Sequence, residues 1–195
     1  MGDLVIGLHG AKGSGKDQFF QIVQHAFPTH RVRKLAYADP IKFQLLKIFQ
    51  LDDEQQYDEM KRSNVTLDLP SGQLTVDGRH VVREIGMLMR HYDSHQFVRY
   101  VETVIKSSPG GTIWFVTDVR FPNEVKSIRD QLNGSIVKIK RPGYEYDGHV
   151  TESEVADELC DHIIHNVSTL QDYEQQVKAL FTSMMTSLAH EKEYA

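Results

Sequence analysis

Leu4-Val5-Ile6-Gly7-Leu8-His9-Gly10-Ala11-Lys12-Gly13-Ser14-Gly15-Lys16-Asp17 is the stretch on which the fold turns. An apolar run of strand length leads into a glycine-rich turn and then a lysine. Phe19, Phe20, Val23, Ala26 and Phe27 follow at helical spacing until Pro28 stops the pattern. Strand, glycine loop, lysine and helix form the context of a phosphate-binding P-loop. Gly10, Gly13 and Gly15 let the backbone turn tightly and approach a polyphosphate. Gly10, Ala11, Lys12, Gly13, Ser14 and Gly15 then offer inward N–H groups, and the helix starting near Lys16 adds its positive end. Lys16 brings a full charge to the β- and γ-phosphates. The common pattern next has Ser or Thr to ligate magnesium. Here it is Asp17, whose carboxylate can hold a hydrated magnesium directly or through water.

Working outward, the 195 residues suit one domain with a sizeable core. A net charge of −5 argues against a general nucleic-acid or membrane-surface binder. Cys160 is the only cysteine, so no intrachain disulfide can form and a reducing cytosol is expected. No signal peptide or membrane-spanning stretch is read from the chain, and a cytoplasmic location is expected.

The elements alternate. Strands are expected at about Leu4 to Leu8, Arg33 to Tyr37, Thr112 to Thr117, Ser135 to Ile139 and Asp161 to His165. Asp39-Pro40 opens a helix, with Asp39 as its N-cap. Residues 50 to 64 read as polar and irregular. Val65 to Leu69 and Gln73 to Asp77 read as a β-hairpin outside the main sheet. Helices are expected over about Arg79 to His91, Ser94 to Ser107, Pro122 to Leu132 and 153 to 160, and from Ser168 onward. Strands alternating with helices imply a mostly parallel sheet in an α/β domain. Ligands then sit at the carboxyl ends of the strands, where the loop, Asp39, Asp118 and Arg141 fall.

Asp118 ends an apolar strand as a Walker-B acid does, so magnesium or a magnesium-bound water is its expected partner; a helix N-cap near Pro122 is the alternative. Arg79, Arg83 and Arg90 are spaced to share one helix face, and with Arg120 and Arg141 they supply guanidinium forks that match phosphate oxygens. The bland alternative is a solvated face with salt bridges, such as Arg83 with Glu84 or Glu102. No glutamate follows Asp118 and no GTPase or dinucleotide motif is present, so transfer to an organic acceptor fits better than hydrolysis. A phosphate acceptor is already ionised and needs no strong base. Cys160, His162 and His165 lack a standard zinc spacing and a fourth ligand.

Gly10 to Asp17 together with Asp118-Val119-Arg120-Phe121-Pro122-Asn123-Glu124 resembles the bacteriophage deoxynucleoside monophosphate kinases, of the P-loop nucleoside monophosphate kinase group. Their loop commonly reads S-G-K-D, as Ser14 to Asp17 does, and D-V-R-F-P-N-E is the most specific shared string. Ala38-Asp39-Pro40-Ile41-Lys42 is similar to the family's A-D-P motif. Arg79, Gly86 and Arg90 fall on its arginine helix, Arg141-Pro142-Gly143 and Glu152-Ser153-Glu154 on its lid and S-E motif, and Ile164-His165-Asn166 with Leu170 on its tail near the adenine. The chain departs at Arg83, at Met87-Leu88 and at Thr151, which lie in acceptor or lid regions. Animal phosphomevalonate kinases share the G-K-D loop and match less well.

The resemblance implies a three-layer α/β P-loop kinase domain with a five-stranded parallel sheet in order 2-3-1-4-5. An acceptor-binding excursion over about 50 to 92 and a lid over about 141 to 153 complete it. It implies ATP and Mg2+ as cofactors and a deoxynucleoside monophosphate as small-molecule substrate. ATP would be held by residues 10 to 17, Arg141 and Asn166, and magnesium by Asp17 and Asp118. Asp39, Lys42, Arg79, Arg83, Arg90, Asp118 and Arg120 would hold the acceptor. Lys16, Asp17, Arg120 and Arg141 would act on the transferred group. Another small-phosphate kinase (phosphomevalonate or dephospho-coenzyme A) and a non-catalytic nucleotide-binding module are the alternatives; a homodimer is left open.

Overall fold

The structure is a computed structural model and describes residues 2–144, 148 and 155–193. The chain forms two compact units, one of residues 1–36 and 102–195, the other of 37–101. The first holds a five-stranded sheet: β1 (Leu4–His9), β2 (Arg31–Leu35), β5 (Thr112–Val116), β6 (Ser135–Lys140) and β7 (His162–His165). All pairings are parallel, in order β2-β5-β1-β6-β7. Counting core strands alone, this is the expected 2-3-1-4-5.

Every residue of β1 and β5 is buried, as a parallel sheet covered on both faces requires. On one face α1 (Lys16–Ala26) and α7 (Leu170–Glu193) pack Phe19, Ile22, Val23, Tyr173, Val177 and Phe181 against Leu4, Ile6, Leu8 and Phe115. On the other face lies Ile128, from the segment after β5. Gly7 in mid-strand has no side chain because that space is filled. A Cβ there would sit 2.6 Å from Ile128 Cδ1, 2.7 Å from Ile136 Cδ1 and 3.0 Å from Val119 Cγ2. The sheet is thus the middle of three layers. Its outer strand β2 exposes Arg31, Arg33 and Lys34, and the Arg33 guanidinium lies over the Trp114 ring.

The second unit contains α2 (Asp39–Ile48), α3 (Glu54–Arg62), the hairpin β3 (Asn64–Leu69) and β4 (Gly72–Asp77), and α4 (Gly78–Tyr92). The excursion expected over about 50 to 92 falls inside it. Val65 pairs with Val76 and Leu67 with Leu74, while Thr66 pairs with Thr75 and Asp68 with Gln73 on the opposite face. Helix α4 starts on the Asp77 cap, which accepts the His80 N–H. Gly78 is required there by a close approach: a Cβ would come 1.9 Å from the Met60 carbonyl oxygen. Helix α5 (Gln96–Lys106) runs from the second unit into the first.

Several sequence expectations need correction. The second strand spans Arg31–Leu35, two residues earlier than expected. Asp39 is the first helical residue of α2 rather than its cap; Ala38 holds that place with helical dihedrals and no side-chain cap bond. The stretch read as irregular carries α3, capped by Asp53, whose carboxylate accepts the Gln56 N–H. The helix from Pro122 is α-helical only through Lys126 (α6) and continues as a π-turn over Ser127–Gln131. The helix expected over 153 to 160 is, among the described residues, a single 3-10 turn at Asp157–Leu159. Glu102 bonds Ser127 Oγ and pairs with Lys106. Most of the expected lid, with Thr151 and Glu152-Ser153-Glu154, lies outside the described residues.

Candidate functional site

The loop after β1 is built from inside the first unit. Gly13 and Gly15 adopt φ of +79° and +116°, which an L side chain rarely reaches. A Cβ on Gly15 would also meet Asn166 Nδ2 at 2.9 Å and the Tyr173 hydroxyl at 3.2 Å. Those two groups hold the loop: Asn166 Nδ2 donates to the Ser14 carbonyl at 2.9 Å, and the Tyr173 hydroxyl donates to the Gly15 carbonyl at 3.0 Å. Burial pushes the Tyr173 phenol well above its ordinary value, so it stays a donor.

The loop's cation and hydroxyl are turned inward. The Lys16 ammonium donates to the carbonyls of Gly10 and Ala11, at 2.6 and 2.8 Å. Ser14 is fully buried, and its Oγ has no hydrogen-bond partner among the described residues. An orphaned buried hydroxyl costs free energy unless a bound group satisfies it. Asp17 is 76% exposed and ion-pairs with Lys34 of β2.

Arg141, following β6, donates from Nη1 to the Gly13 carbonyl at 3.0 Å and stacks on the Tyr144 ring at 4.3 Å. A cavity of about 340 Å³ opens beside the loop, between Ala11, Ile139, Arg141, Tyr144, His165 and Val167. Its size suits part of a nucleotide.

The segment after β5 is pinned to the same end of the sheet. The Val119 N–H donates to the Leu8 carbonyl at 3.2 Å. The fully buried Glu124 carboxylate accepts the N–H groups of Arg120 and Phe121, at 2.7 and 3.1 Å. This gives the D-V-R-F-P-N-E string a physical reason: its last residue ties the turn that carries half-buried Asp118 and Arg120. Thus Gly10 to Asp17, Asp118, Arg120, Arg141 and Asn166 gather at the carboxyl ends of β1, β5, β6 and β7.

The fold is an α/β fold with a five-stranded parallel sheet and a small antiparallel hairpin. No model of a known protein family matches the sequence. A protein of Acanthamoeba polyphaga mimivirus named "Putative deoxynucleotide monophosphate kinase" is 27% identical over 186 residues, covering 89% of this chain and 94% of that protein. Among solved structures, TT1252 from Thermus thermophilus is similar over 94% of this chain and 98% of its own, with 12% identity and a TM-score of 0.50. No helix among the described residues is long and apolar enough to cross a membrane.

The other expected site residues lie in the second unit. Arg79, Arg83 and Arg90 share one stripe of α4 with buried Gly86, and all three are half-buried; Glu84, Leu88 and His91 on other faces are exposed. The Arg90 guanidinium lies over the Phe97 ring at 4.7 Å. Lys42 bonds Glu54 at 2.6 Å and lies 3.8 Å from Asp39. Burial, with the Asp39 charge, raises the Tyr100 phenol above its ordinary value.

Sequence reading missed four residues. Tyr173 reads only as an apolar position of the last helix, and Tyr144 only as part of a loop. Lys138 is 2% exposed; its ammonium donates to the Val155 carbonyl and to Asp157 Oδ1, each at 2.7 Å. Asp157 also pairs with Lys140, and the two lysines hold its carboxyl down at about 2. The fourth is His9, buried at the end of β1.

Proposed function

We propose that the chain transfers the γ-phosphoryl group of ATP to a deoxynucleoside 5′-monophosphate, giving a diphosphate and ADP. One observation carries the reading: the Gly10 to Lys16 loop brings an ammonium and an orphaned buried hydroxyl to one place, with Arg120 and Arg141 anchored at the same sheet end. The mimivirus relative's name supports the acceptor class.

Lys16 leaves the Gly10 and Ala11 carbonyls for the β- and γ-phosphates, and the loop N–H groups and Ser14 hold the bridging oxygens. An oxygen of the acceptor phosphate attacks the γ-phosphorus, and the bond to the β–γ bridging oxygen breaks. The acceptor's second pKa of about 6 leaves it ionised, so positioning and charge neutralisation supply most of the catalysis. Arg120 and Arg141 neutralise the transferred group; Arg79, Arg83, Arg90, Asp39 and Lys42 take the acceptor. Asp17 and Asp118 offer the hard oxygen donors that magnesium takes, and no group of three metal-binding side chains exists among the described residues. Asp17 and Asp118, completed by substrate phosphates and water, would hold that ion, and it would supply charge neutralisation for the phosphates.

The test is ADP production from ATP and magnesium against dAMP, dGMP, dCMP and dTMP, their ribo forms, phosphomevalonate and dephospho-coenzyme A. Turnover of one or more deoxynucleotides is the expected result. A signal from another phosphate alone would replace the acceptor, and ATP binding without any turnover would leave a binding module.

A further inference from the structure

His9 is buried between two valines that belong to distant parts of the chain. Its Nδ1 lies 2.8 Å from the Val119 carbonyl oxygen, and its Nε2 lies 3.2 Å from the Val155 amide nitrogen. A carbonyl can only accept and an amide N–H can only donate. The ring is therefore neutral, with its proton on Nδ1 and a lone pair on Nε2. Each valine is also held from its other side. The Val119 N–H goes to Leu8, and the Val155 carbonyl takes the buried Lys138 ammonium. Val119 stands between Asp118 and Arg120; Val155 lies two residues before Asp157, which pairs with Lys138 and Lys140.

We propose that His9 is a positioning residue. Through Val119 it sets where Asp118 and Arg120 stand relative to the loop that starts at Gly10, and through Val155 it fixes the chain that leads into Asp157. The proposal rests on the phosphoryl-transfer reading. A hydrophobic side chain of similar size would fill the space and leave a buried carbonyl and a buried N–H without this partner. The geometry of Asp118 and Arg120 would loosen, and transfer of a phosphoryl group is sensitive to such displacement.

The two bonds can be separated. In His9→Asn the amide N–H reaches as Nδ1 does and keeps the Val119 bond. In His9→Gln the amide oxygen reaches as Nε2 does and keeps the Val155 bond. Three readouts are compared with wild type: kcat and KM with the best acceptor, melting temperature, and hydrogen exchange at the Val155 amide. His9→Leu is expected to lose kcat by about 10–100-fold with a smaller change in KM for ATP. His9→Asn should recover most of that kcat, whereas His9→Gln should not. Exchange at Val155 should run the other way, faster by about tenfold or more in His9→Asn and near wild type in His9→Gln.

Equal kcat in Asn and Gln variants, or losses that follow melting temperature alone, would overturn the proposal. The Asn and Gln pair decides the matter even if the Leu variant does not fold. A wild-type protein silent with every acceptor would defeat the phosphoryl-transfer reading and the catalytic role with it. The exchange pattern would still show whether His9 holds Val155.

Discussion

The molecule contains two sheets built on opposite terms. In the five-stranded sheet, β1 and β5 contain no exposed or half-exposed residue. In the hairpin β3–β4, no residue is buried, and Leu69 and Leu74 each remain 44% exposed. The first is specified by packing on both faces, where a misplaced atom meets a neighbour at once. The second is held by its backbone ladder, by cross-strand pairs such as Leu67 with Leu74, and by the bond between the Thr66 and Thr75 hydroxyls at 3.3 Å. The lesson concerns where change is tolerated. The end of the fold that carries the glycine loop is over-determined, whereas the hairpin can vary with little loss.

The sharpest way to break the comparison is at the loop. Lys16→Ala should leave the sheet intact, with circular dichroism and melting temperature near wild type, and lower turnover by about 10²–10³-fold or more. Near-normal turnover would remove the phosphoryl-transfer reading altogether.

The sheets themselves can be set against each other by two substitutions. Gly7→Val drives a side chain into Ile128, Ile136 and Val119 and should cost about 1–3 kcal/mol. Leu74→Thr, on the hairpin, should cost under about 1 kcal/mol. Denaturant midpoints measured on both variants decide this, and equal losses would erase the distinction.

A smaller effect comes from acid. Asp157 is held between Lys138 and Lys140 with its folded pKa depressed to about 2, below the ordinary 3.8. Its contribution to stability is therefore present above pH 3.8 and is lost as pH falls from there through about 2. Asp157→Asn should flatten the stability profile in that window and leave its shape near neutral pH unchanged. Thermal melts between pH 2 and 5 would show it; an unchanged acid limb would mean that the lysines do not hold this carboxylate.

Legibility in the sequence followed the same division. The strand, loop and first helix announce themselves because burial on both faces writes a continuous apolar run, and the loop's left-handed backbone at Gly13 and Gly15 needs glycine. Helix α3 was missed because only Tyr57 and Met60 are buried along it, too few to set a period. A cap signal was nevertheless present: Asp53 with Gln56 three residues later, whose side-chain oxygen in turn accepts the Asp52 N–H. At Asp39-Pro40 the cap signal misled, because Ala38 already has helical dihedrals. The π-turn could not be read, since five residues are too few to separate its period from that of an α-helix. His9 was illegible for a different reason. Its partners are 110 and 146 residues away, and a single histidine at a strand end carries no trace of them. The half-buried arginines of α4 were legible as a stripe, because 79, 83, 86 and 90 repeat at helical spacing.

The outer strand β2 has a consequence for how the protein behaves in a crowded solution. A parallel sheet ends in a rim of unsatisfied backbone groups that invites another chain to add a strand. Arg31 and Arg33 stand exposed on that rim strand, beside Lys34, which ion-pairs with Asp17. A second copy approaching rim to rim would bring like charges together before any backbone bond could form. Salt shortens the reach of that repulsion. Concentrated protein should therefore resist strand-to-strand association best at low ionic strength, the reverse of a chain kept apart by its hydration alone.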